Sequence, residues 1–467
     1  MGNRLGFSNR FIAVVALTLL VLLLPNPAGL TVEGKRALAA FVFTGTIFAL
    51  QPIPLPFAGL MVPVMLVALG LANSAQAFET LSRPIIILIL GSLFLAEALR
   101  KHGITRRLAL LSIVTSRGRV DRLLFGLMAL AALLSMWMEN TATAAVLIPV
   151  ALTISSQVPD QEQSKELLVL LVLGIAYAAS VGGMATITGS ASNAVASEFL
   201  SEIRVWRFID WMKYGLLALI FVFPATWWTL MKAANVSLKE LDIEATRREL
   251  ENLGGMRGVE REVLVVLGIT ILMWMGGAFI EDAMGLPSTF LSPAVVGIIA
   301  VSYMALRDII QWEDVKGVSW GMFFAIAAGL ALGEALKRSG ATAWLTDISS
   351  PLLSGTPYIF ALVVVVFASA LLTNVVNNAT VAAVFVPIMI DLAAADPAFN
   401  SVRLVLPLTM ATTFGYALPS ASGRMALISA TGIVKSRDMI RYGMLMTVVS
   451  SVILIALFYL LGMVNLI

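Results

Sequence analysis

Two short stretches place amide, hydroxyl and carboxylate groups inside otherwise apolar runs. The first reads Met138-Glu139-Asn140-Thr141-Ala142-Thr143-Ala144-Ala145 and runs on to Pro149; the second reads Val376-Asn377-Asn378-Ala379-Thr380-Val381-Ala382-Ala383 and runs on to Pro387. Polar side chains at such a place are costly in lipid, so they face protein or a water-filled cavity. Two interrupted apolar segments at corresponding places in the halves of a chain point to a transporter binding site. Asn and Thr also hold membrane helices together by packing and hydrogen bonding, which is the plainer reading of either stretch alone.

Two longer apolar segments carry polar breaks of another kind. The segment 166–201 is interrupted between Ser180 and Asn193, where Gly182, Gly183, Thr186, Thr188, Gly189, Ser190 and Ser192 cluster. The segment 401–436 is interrupted between Thr412 and Arg424, through Gly415, Pro419, Ser420, Ala421, Ser422 and Gly423. These compositions predict unwound backbone in mid-helix, and small residues allowing close helix packing are the alternative. Serine chemistry is not supported. Ser190, Ser192 and Ser422 have no histidine inside the apolar runs to activate them, because the one histidine, His102, lies in a basic run at a helix end and reads as solvated.

The elements that must position these groups follow from composition. Hydrophobic residues make up 59% of the 467 and charged residues only 13%, about half the share of a soluble domain. This implies an all-α polytopic membrane protein. The absence of cysteine excludes disulfides, Cys-ligated zinc and thiol catalysis, and a lone histidine excludes a multi-histidine metal site. Arg4 and Arg10 precede an apolar run from Phe11 to Leu24, which no signal-cleavage pattern follows, so it reads as a first spanning helix. Residues 123–138 and 140–156 are each short for a crossing, so they read as a re-entrant hairpin with its tip near the midplane, tolerated where it faces protein or a cavity. The hydrophilic stretch 232–262 reads as a cytoplasmic connector, with Ser237-Leu238-Lys239-Glu240 spaced as a capping box for a short amphipathic helix.

An internal repeat ties these features together. Glu97, Ala98, Leu99, Gly103 and Thr105 fall on Glu334, Ala335, Leu336, Gly340 and Thr342; Asn140 and Pro149 fall on Asn378 and Pro387; Lys213-Tyr214-Gly215 falls on Arg441-Tyr442-Gly443. The chain therefore divides into an N-terminal helix and lead-in (1–36), a first repeat (37–231), the connector (232–262) and a second repeat (263–467), with about 11 transmembrane helices in all. The connection before the first hairpin carries Arg100, Lys101, Arg106, Arg107, Arg117, Arg119 and Arg122, whereas its counterpart at 339–354 has no Lys or Arg and one acid, Asp347. By the positive-inside rule the two loops lie on opposite sides of the membrane, so the repeats are inverted and the hairpin tips meet near its middle.

At the two hairpin tips and the two broken helices the sequence resembles the divalent anion–sodium symporter family, whose members carry dicarboxylates, tricarboxylates or sulfate. That family has a Ser-Asn-Thr motif at each tip, usually within Ser-Asn-Thr-Ala-Thr-Ala-Ala. The tips here read Glu139-Asn140-Thr141-Ala142-Thr143-Ala144-Ala145 and Asn377-Asn378-Ala379-Thr380-Val381-Ala382-Ala383. The resemblance implies a secondary active carrier of a small dicarboxylate, cation-coupled or exchanging, working as a homodimer by an elevator movement in the inner or plasma membrane. An inorganic-anion carrier or a cation/proton antiporter of the same superfamily is the nearest rival. The implied partners are the anion, the lipid bilayer and a second copy of the chain, with no nucleic acid; sodium ions would be coupling ions and no cofactor is implied. Carried over by motif, the anion would meet Asn140, Thr141, Ser190, Asn378, Ser422 and Gly423. A first sodium site would involve Ser135, Glu139, Asn140 and Gly189, and a second Thr373, Val376, Asn378 and Ala421. The chain departs from the family at Glu139, Asn377 and Ala379, and at Arg424 and Met425, which stand where the family has proline and asparagine. Glu139 and Arg424 are charges at membrane depth, so each is expected to have a counter-charge. They would either pair with each other or leave Arg424 to grip a substrate carboxylate or replace a sodium ion.

Overall fold

A computed structural model describes residues 8–287, 289–396 and 399–464. Arg4, part of the expected N-terminal anchor, lies outside them. Among the described residues the regular structure is helical, apart from one isolated bridge between Arg119 and Glu240.

The helices begin with α1 (Asn9–Leu23), α2 (Val32–Leu50), α3 (Leu55–Ala68) and the single turn α4 (Ser74–Phe78). There follow α5 (Pro84–Lys101), α6 (Ile104–Thr115), the pair α7 (Val120–Ser135) and α8 (Asn140–Ser155), the pair α9 (Gln161–Gly183) and α10 (Ala191–Ile203), and α11 (Phe208–Ala234). After α12 (Glu244–Asn252) the same order returns. It runs α13 (Gly258–Met284), α14 (Pro293–Leu306), α15 (Trp320–Arg338), α16 (Ala341–Leu353), the pair α17 (Tyr358–Leu372) and α18 (Asn378–Ala395), α19 (Ser401–Ala411), α20 (Gly423–Ala430) and α21 (Ser436–Met463). The starts follow local chemistry. Thr31, Asp160 and Asn400 cap orphan backbone N–H groups with side-chain oxygens, and Pro84 and Pro293 open α5 and α14, where a missing N–H costs nothing.

Packing between the halves is reciprocal. The early helix α3 packs on α15, and its counterpart α14 packs on α5, the counterpart of α15. Likewise α10 packs on α18 while α20 packs on α8, and α11 meets its own counterpart α21. Corresponding elements of the two halves thus exchange equivalent contacts. The repeat markers have physical reasons. Gly103 and Gly340 both sit in the left-handed region, at φ 72° and 77°, where the chain turns between one helix and the next. A Cβ on Gly215 would lie 2.5 Å from the Ala185 carbonyl oxygen, and one on Gly443 2.4 Å from that of Tyr416. Each glycine thus lets α11 or α21 press directly onto one of the two helix breaks.

The connector differs from its expected form. Ser237 caps no helix; its backbone N–H and hydroxyl donate to the Glu166 carboxylate at 3.2 and 2.9 Å. Residues 239–241 instead run antiparallel to 118–120, with Val120 N–H donating to Lys239 O at 3.0 Å and Leu241 N–H to Gly118 O at 2.8 Å. The reason is local. Gly118, at φ 79°, brings its backbone so close that a Cβ would stand 2.4 Å from the Leu241 oxygen. The amphipathic helix is α12, starting at Glu244. Arg106 pairs with Glu249 on it at 2.6 Å, and Arg107 with buried Glu260 at 2.8 Å. The basic connection and the connector therefore lie on one side of the molecule. His102 also differs from expectation: its Nε2 sits 2.9 Å from the Ile309 carbonyl and is half-buried, not simply solvated.

Among the described residues six helices are long and apolar enough to cross a bilayer: α9, α11, α13, α15, α18 and α21; a bent pair, α4 with its following turn and α5, makes a seventh. The expected count of about 11 is not reached by length alone, because α1, α3, α8, α14, α17 and α19 are apolar but only 10–17 residues long.

Candidate functional site

The hairpin tips and the breaks meet at one cavity of about 240 Å³. Its walls include Glu139, Asn140 and Thr141 from the first tip, Gly189 and Ser190 from the first break, Asn377 and Asn378 from the second tip, and Ser420, Ala421, Ser422, Gly423 and Arg424 from the second break. Phe48, Gln51, Leu55, Ser319, Met322 and Ala325 close the remaining wall from α2, α3 and α15. Gly423 and Thr141 touch across the two halves: a Cβ on Gly423 would meet Thr141 Oγ1 at 2.7 Å. Ser135, Thr373 and Val376 stand behind the tips, off the cavity wall.

The four helices that follow the tips and breaks begin at this cavity. Asn140, Ala191, Asn378 and Gly423 are the first residues of α8, α10, α18 and α20, and all four line it. Polar side chains cap three of these starts, those of α8, α18 and α20. Glu139 accepts from Ala142 N–H at 3.0 Å, Asn377 from Ala379 N–H at 2.9 Å, and Ser422 caps Met425 N–H. The position filled by Glu139 and Asn377 is thus a helix cap, which Ser, Asn or an acid can serve. Four N-termini on one cavity concentrate unpaired N–H groups and the positive ends of helix dipoles there, a setting for anions.

Behind each tip a hydroxyl meets the amide five residues on. In the first, Asn140, turned so that its nitrogen faces acceptors, donates to Ala179 O at 3.0 Å and Gly189 O at 3.1 Å and meets the Ser135 hydroxyl. In the second, Thr373 Oγ1 lies 2.6 Å from Asn378 Oδ1 and 2.8 Å from Thr412 O. The first break is packed through glycine, since a Cβ on Gly189 would lie 2.5 Å from Gly183 O and 2.8 Å from Ser135 O. Oxygens of Ser135, Gly183 and Gly189 thereby converge beside Asn140, with the glycine carbonyls satisfied by the amides of Asn140 and Asn193.

Several residues essential to this geometry lie outside the set expected from the sequence. Thr186 and Thr188 hold the Met136 carbonyl, the latter at 3.1 Å. Asn193 staples the first break by donating to Gly183 O at 2.9 Å and Thr186 O at 2.7 Å. Asn374 ties the second tip to the second break, accepting from Ala417 N–H at 2.9 Å, while Ser420 donates to its carbonyl at 3.1 Å. Their signal was present as polar residues in the interrupted stretches, but composition does not tell a staple from a ligand.

Of the two arrangements open to Glu139 and Arg424, the direct pair is not the one formed. Among the described residues no ion pair joins them, although Glu139 lies within Coulombic range. Glu139 is occupied as the α8 cap, and Arg424, 2% exposed, donates to Thr413 O at 3.1 Å and Gly415 O at 3.3 Å. Backbone oxygens freed by the unwound break take the place of a carboxylate.

Interrupted membrane helices that meet in an anion-friendly cavity define a multi-pass membrane transporter of small anions, not an enzyme. A family model described as the sodium:sulfate symporter transmembrane region matches residues 7–466. The chain therefore belongs to the divalent anion–sodium symporter family. It is 29% identical over 466 residues to an uncharacterized transporter of Haemophilus influenzae, covering 98% of each chain. It is 28% identical to the sodium-dependent dicarboxylate transporter SdcS of Staphylococcus saprophyticus, covering 95% of this chain and 89% of that one. Two solved transporters share the fold. YdaH of Alcanivorax borkumensis has a TM-score of 0.52 at 14% identity, with 98% of each chain covered. MtrF of Neisseria gonorrhoeae has a TM-score of 0.55 at 13% identity, with 98% of this chain and 95% of that one covered.

Proposed function

We propose that this chain carries small dicarboxylate anions across the inner or plasma membrane, coupled to sodium, by alternating access. The observation that carries the reading is the convergence of four helix N-termini, two from each half, on one cavity. A C4 dianion needs a donor set at each end. Thr141 and Ser190 supply hydroxyls and the α8 start at Asn140 supplies backbone donors from one half, and Asn378, Ser422 and Gly423 supply amide, hydroxyl and backbone donors from the other. The SdcS relatives, named as sodium-dependent dicarboxylate transporters, favour the same substrate class and coupling ion. Ser135, Glu139, Asn140 and Gly189 form the first sodium site in this reading. Thr373, Val376, Asn378 and Ala421 surround the equivalent place in the second half.

The repeats, taken as 37–231 and 263–467 after the N-terminal 1–36 and on either side of the connector 232–262, are inverted in the membrane. The hairpins and broken helices move together, as an elevator, against a frame that a second copy of the chain completes as a homodimer. Uptake by purified protein in liposomes tests the function, using labelled succinate, fumarate, citrate, sulfate and phosphate with sodium and pH varied separately. Sodium-driven uptake of the C4 acids is expected. Uptake of sulfate or phosphate alone, or proton movement without anion flux, overturns the dicarboxylate reading.

A further inference from the structure

The two breaks are built alike but charged differently. Gly215 and Gly443, at equivalent places on α11 and α21, press on the carbonyls of Ala185 and Tyr416 and fix the register between the breaks. Ser190 and Ser422 then stand at the caps of α10 and α20. In the first break the Gly183 carbonyl is satisfied by the neutral amide of Asn193, at 2.9 Å. In the second, the carbonyls of Thr413 and Gly415 are satisfied by the guanidinium of Arg424, at 3.1 and 3.3 Å. A neutral amide closes one break, so hydrogen bonding alone does not require a charge in the other.

The charge is fixed, and it is met by backbone carbonyls and by Glu139 at Coulombic range, not by a contacting carboxylate. Arginine stays protonated in proteins. Arg424 is 2% exposed, makes no ion pair among the described residues, and its Nε is buried without a partner. The first break has the opposite sign, because the Glu139 carboxylate caps α8 beside Asn140 and Gly189. In both breaks hydroxyl, amide and backbone oxygens gather in a way that suits a monovalent cation. The first commits two carbonyls, those of Gly183 and Thr186, to a neutral amide, and the second commits two to a positive charge.

We infer that Arg424 is a tethered cation occupying the second break, so that the carrier binds a single sodium ion, at the first. The inference rests on the sodium-coupled reading above and settles how many ions that coupling uses. It makes Arg424 a residue that sets stoichiometry. The guanidinium neutralises dipoles and substrate charge from the second half in every state, where a free ion would bind and leave.

Counting sodium on the purified protein tests this without any substrate, so a negative result in the anion panel does not bear on it. Equilibrium dialysis with radiolabelled sodium is expected to give about one ion per wild-type chain, with saturation free of cooperativity. Arg424→Gln keeps a hydrogen-bonding group and removes the charge, and is expected to bind about two ions with a steeper sodium dependence. Arg424→Lys keeps the charge and is expected to bind one. Glu139→Gln is expected to weaken the single wild-type ion at least ten-fold, which assigns it to the first break. Two ions on the wild type overturn the inference at once, whatever the variants do. A folded Arg424→Gln that still binds one ion overturns it as well, because Arg424 would then be a staple interchangeable with Asn193.

Discussion

Asn140 and Asn378 occupy equivalent places at the two tips, yet their amides are held differently. Asn140 is buried and fixed by two backbone carbonyls, whereas Asn378 is half-buried with its oxygen against Thr373. Each is expected to donate to, or to shape, the anion site, so Asn140→Ala and Asn378→Ala should each reduce uptake at least ten-fold. The loss of a hydrogen bond to a charged group costs roughly 1.5–3 kcal/mol, enough for that reduction. Asn140→Ala should also lower the melting temperature, because Ala179 and Gly189 lose a donor; Asn378→Ala should lower it less. Thr380 lies within α18 with a fully buried hydroxyl that has no partner. Thr380→Val should therefore leave both uptake and melting near wild type. Loss of uptake in Thr380→Val with normal function in both asparagine variants would move the site along the helix. Gly423 adds a steric test. Its Cβ would stand 2.7 Å from Thr141 Oγ1, so Gly423→Ala must push the tips apart. KM for the anion should rise several-fold with the protein still folded, and an unchanged KM would place the anion elsewhere in the cavity.

At the scale of elements, the glycines that bring α11 and α21 onto the breaks carry more than local packing. Gly215→Ala and Gly443→Ala each force a methyl to within 2.5 and 2.4 Å of a carbonyl oxygen. Overpacking of this kind costs about 1–3 kcal/mol, and both variants should melt lower by similar amounts. Gly268→Ala, in the middle of α13 with nothing within 4 Å, should instead gain about 0.5–1 kcal/mol from helix propensity. Equal behaviour of all three in a melting experiment would remove the special role of the breaks. These elements were largely legible in the sequence. The hairpins α7–α8 and α17–α18 and both interrupted helices stand where apolar runs and polar clusters placed them, because a helix cannot continue through so many glycines and hydroxyls. Within the connector only the helix start differs from expectation, because Ser237 to Glu240 has the spacing of a cap while its backbone serves a tertiary contact with Gly118 that local sequence does not show. Arg424 was recognised as costly, but its partners are carbonyls, and carbonyls of an unwound stretch have no letter in the sequence.

For the whole molecule, the proposed two-fold relation rests on the reciprocal contacts between halves, and its proposed orientation in the membrane rests on loop charge. Arg106 and Arg107 bind the connector through Glu249 and Glu260, so the basic connection and residues 249–260 share one side of the molecule. The counterpart α16 begins at a left-handed glycine, as α6 does, yet carries Asp347 and no basic residue. The proposed inversion puts α6 and the connector in the cytoplasm and α16 outside. The chain has no cysteine, so single exposed cysteines report sidedness without background labelling. Arg122→Cys and Asp347→Cys are suitable, since both side chains are exposed. An impermeant thiol reagent added to intact cells should label Asp347→Cys and spare Arg122→Cys, and membrane disruption should make the second reactive. Neither change touches the cavity, so uptake should persist in both and show that the labelled molecules are folded. Labelling of both positions in intact cells, or of neither, would mean that equivalent loops share a side. The two-fold axis would then run along the membrane normal, and the tips could not approach the cavity from opposite faces.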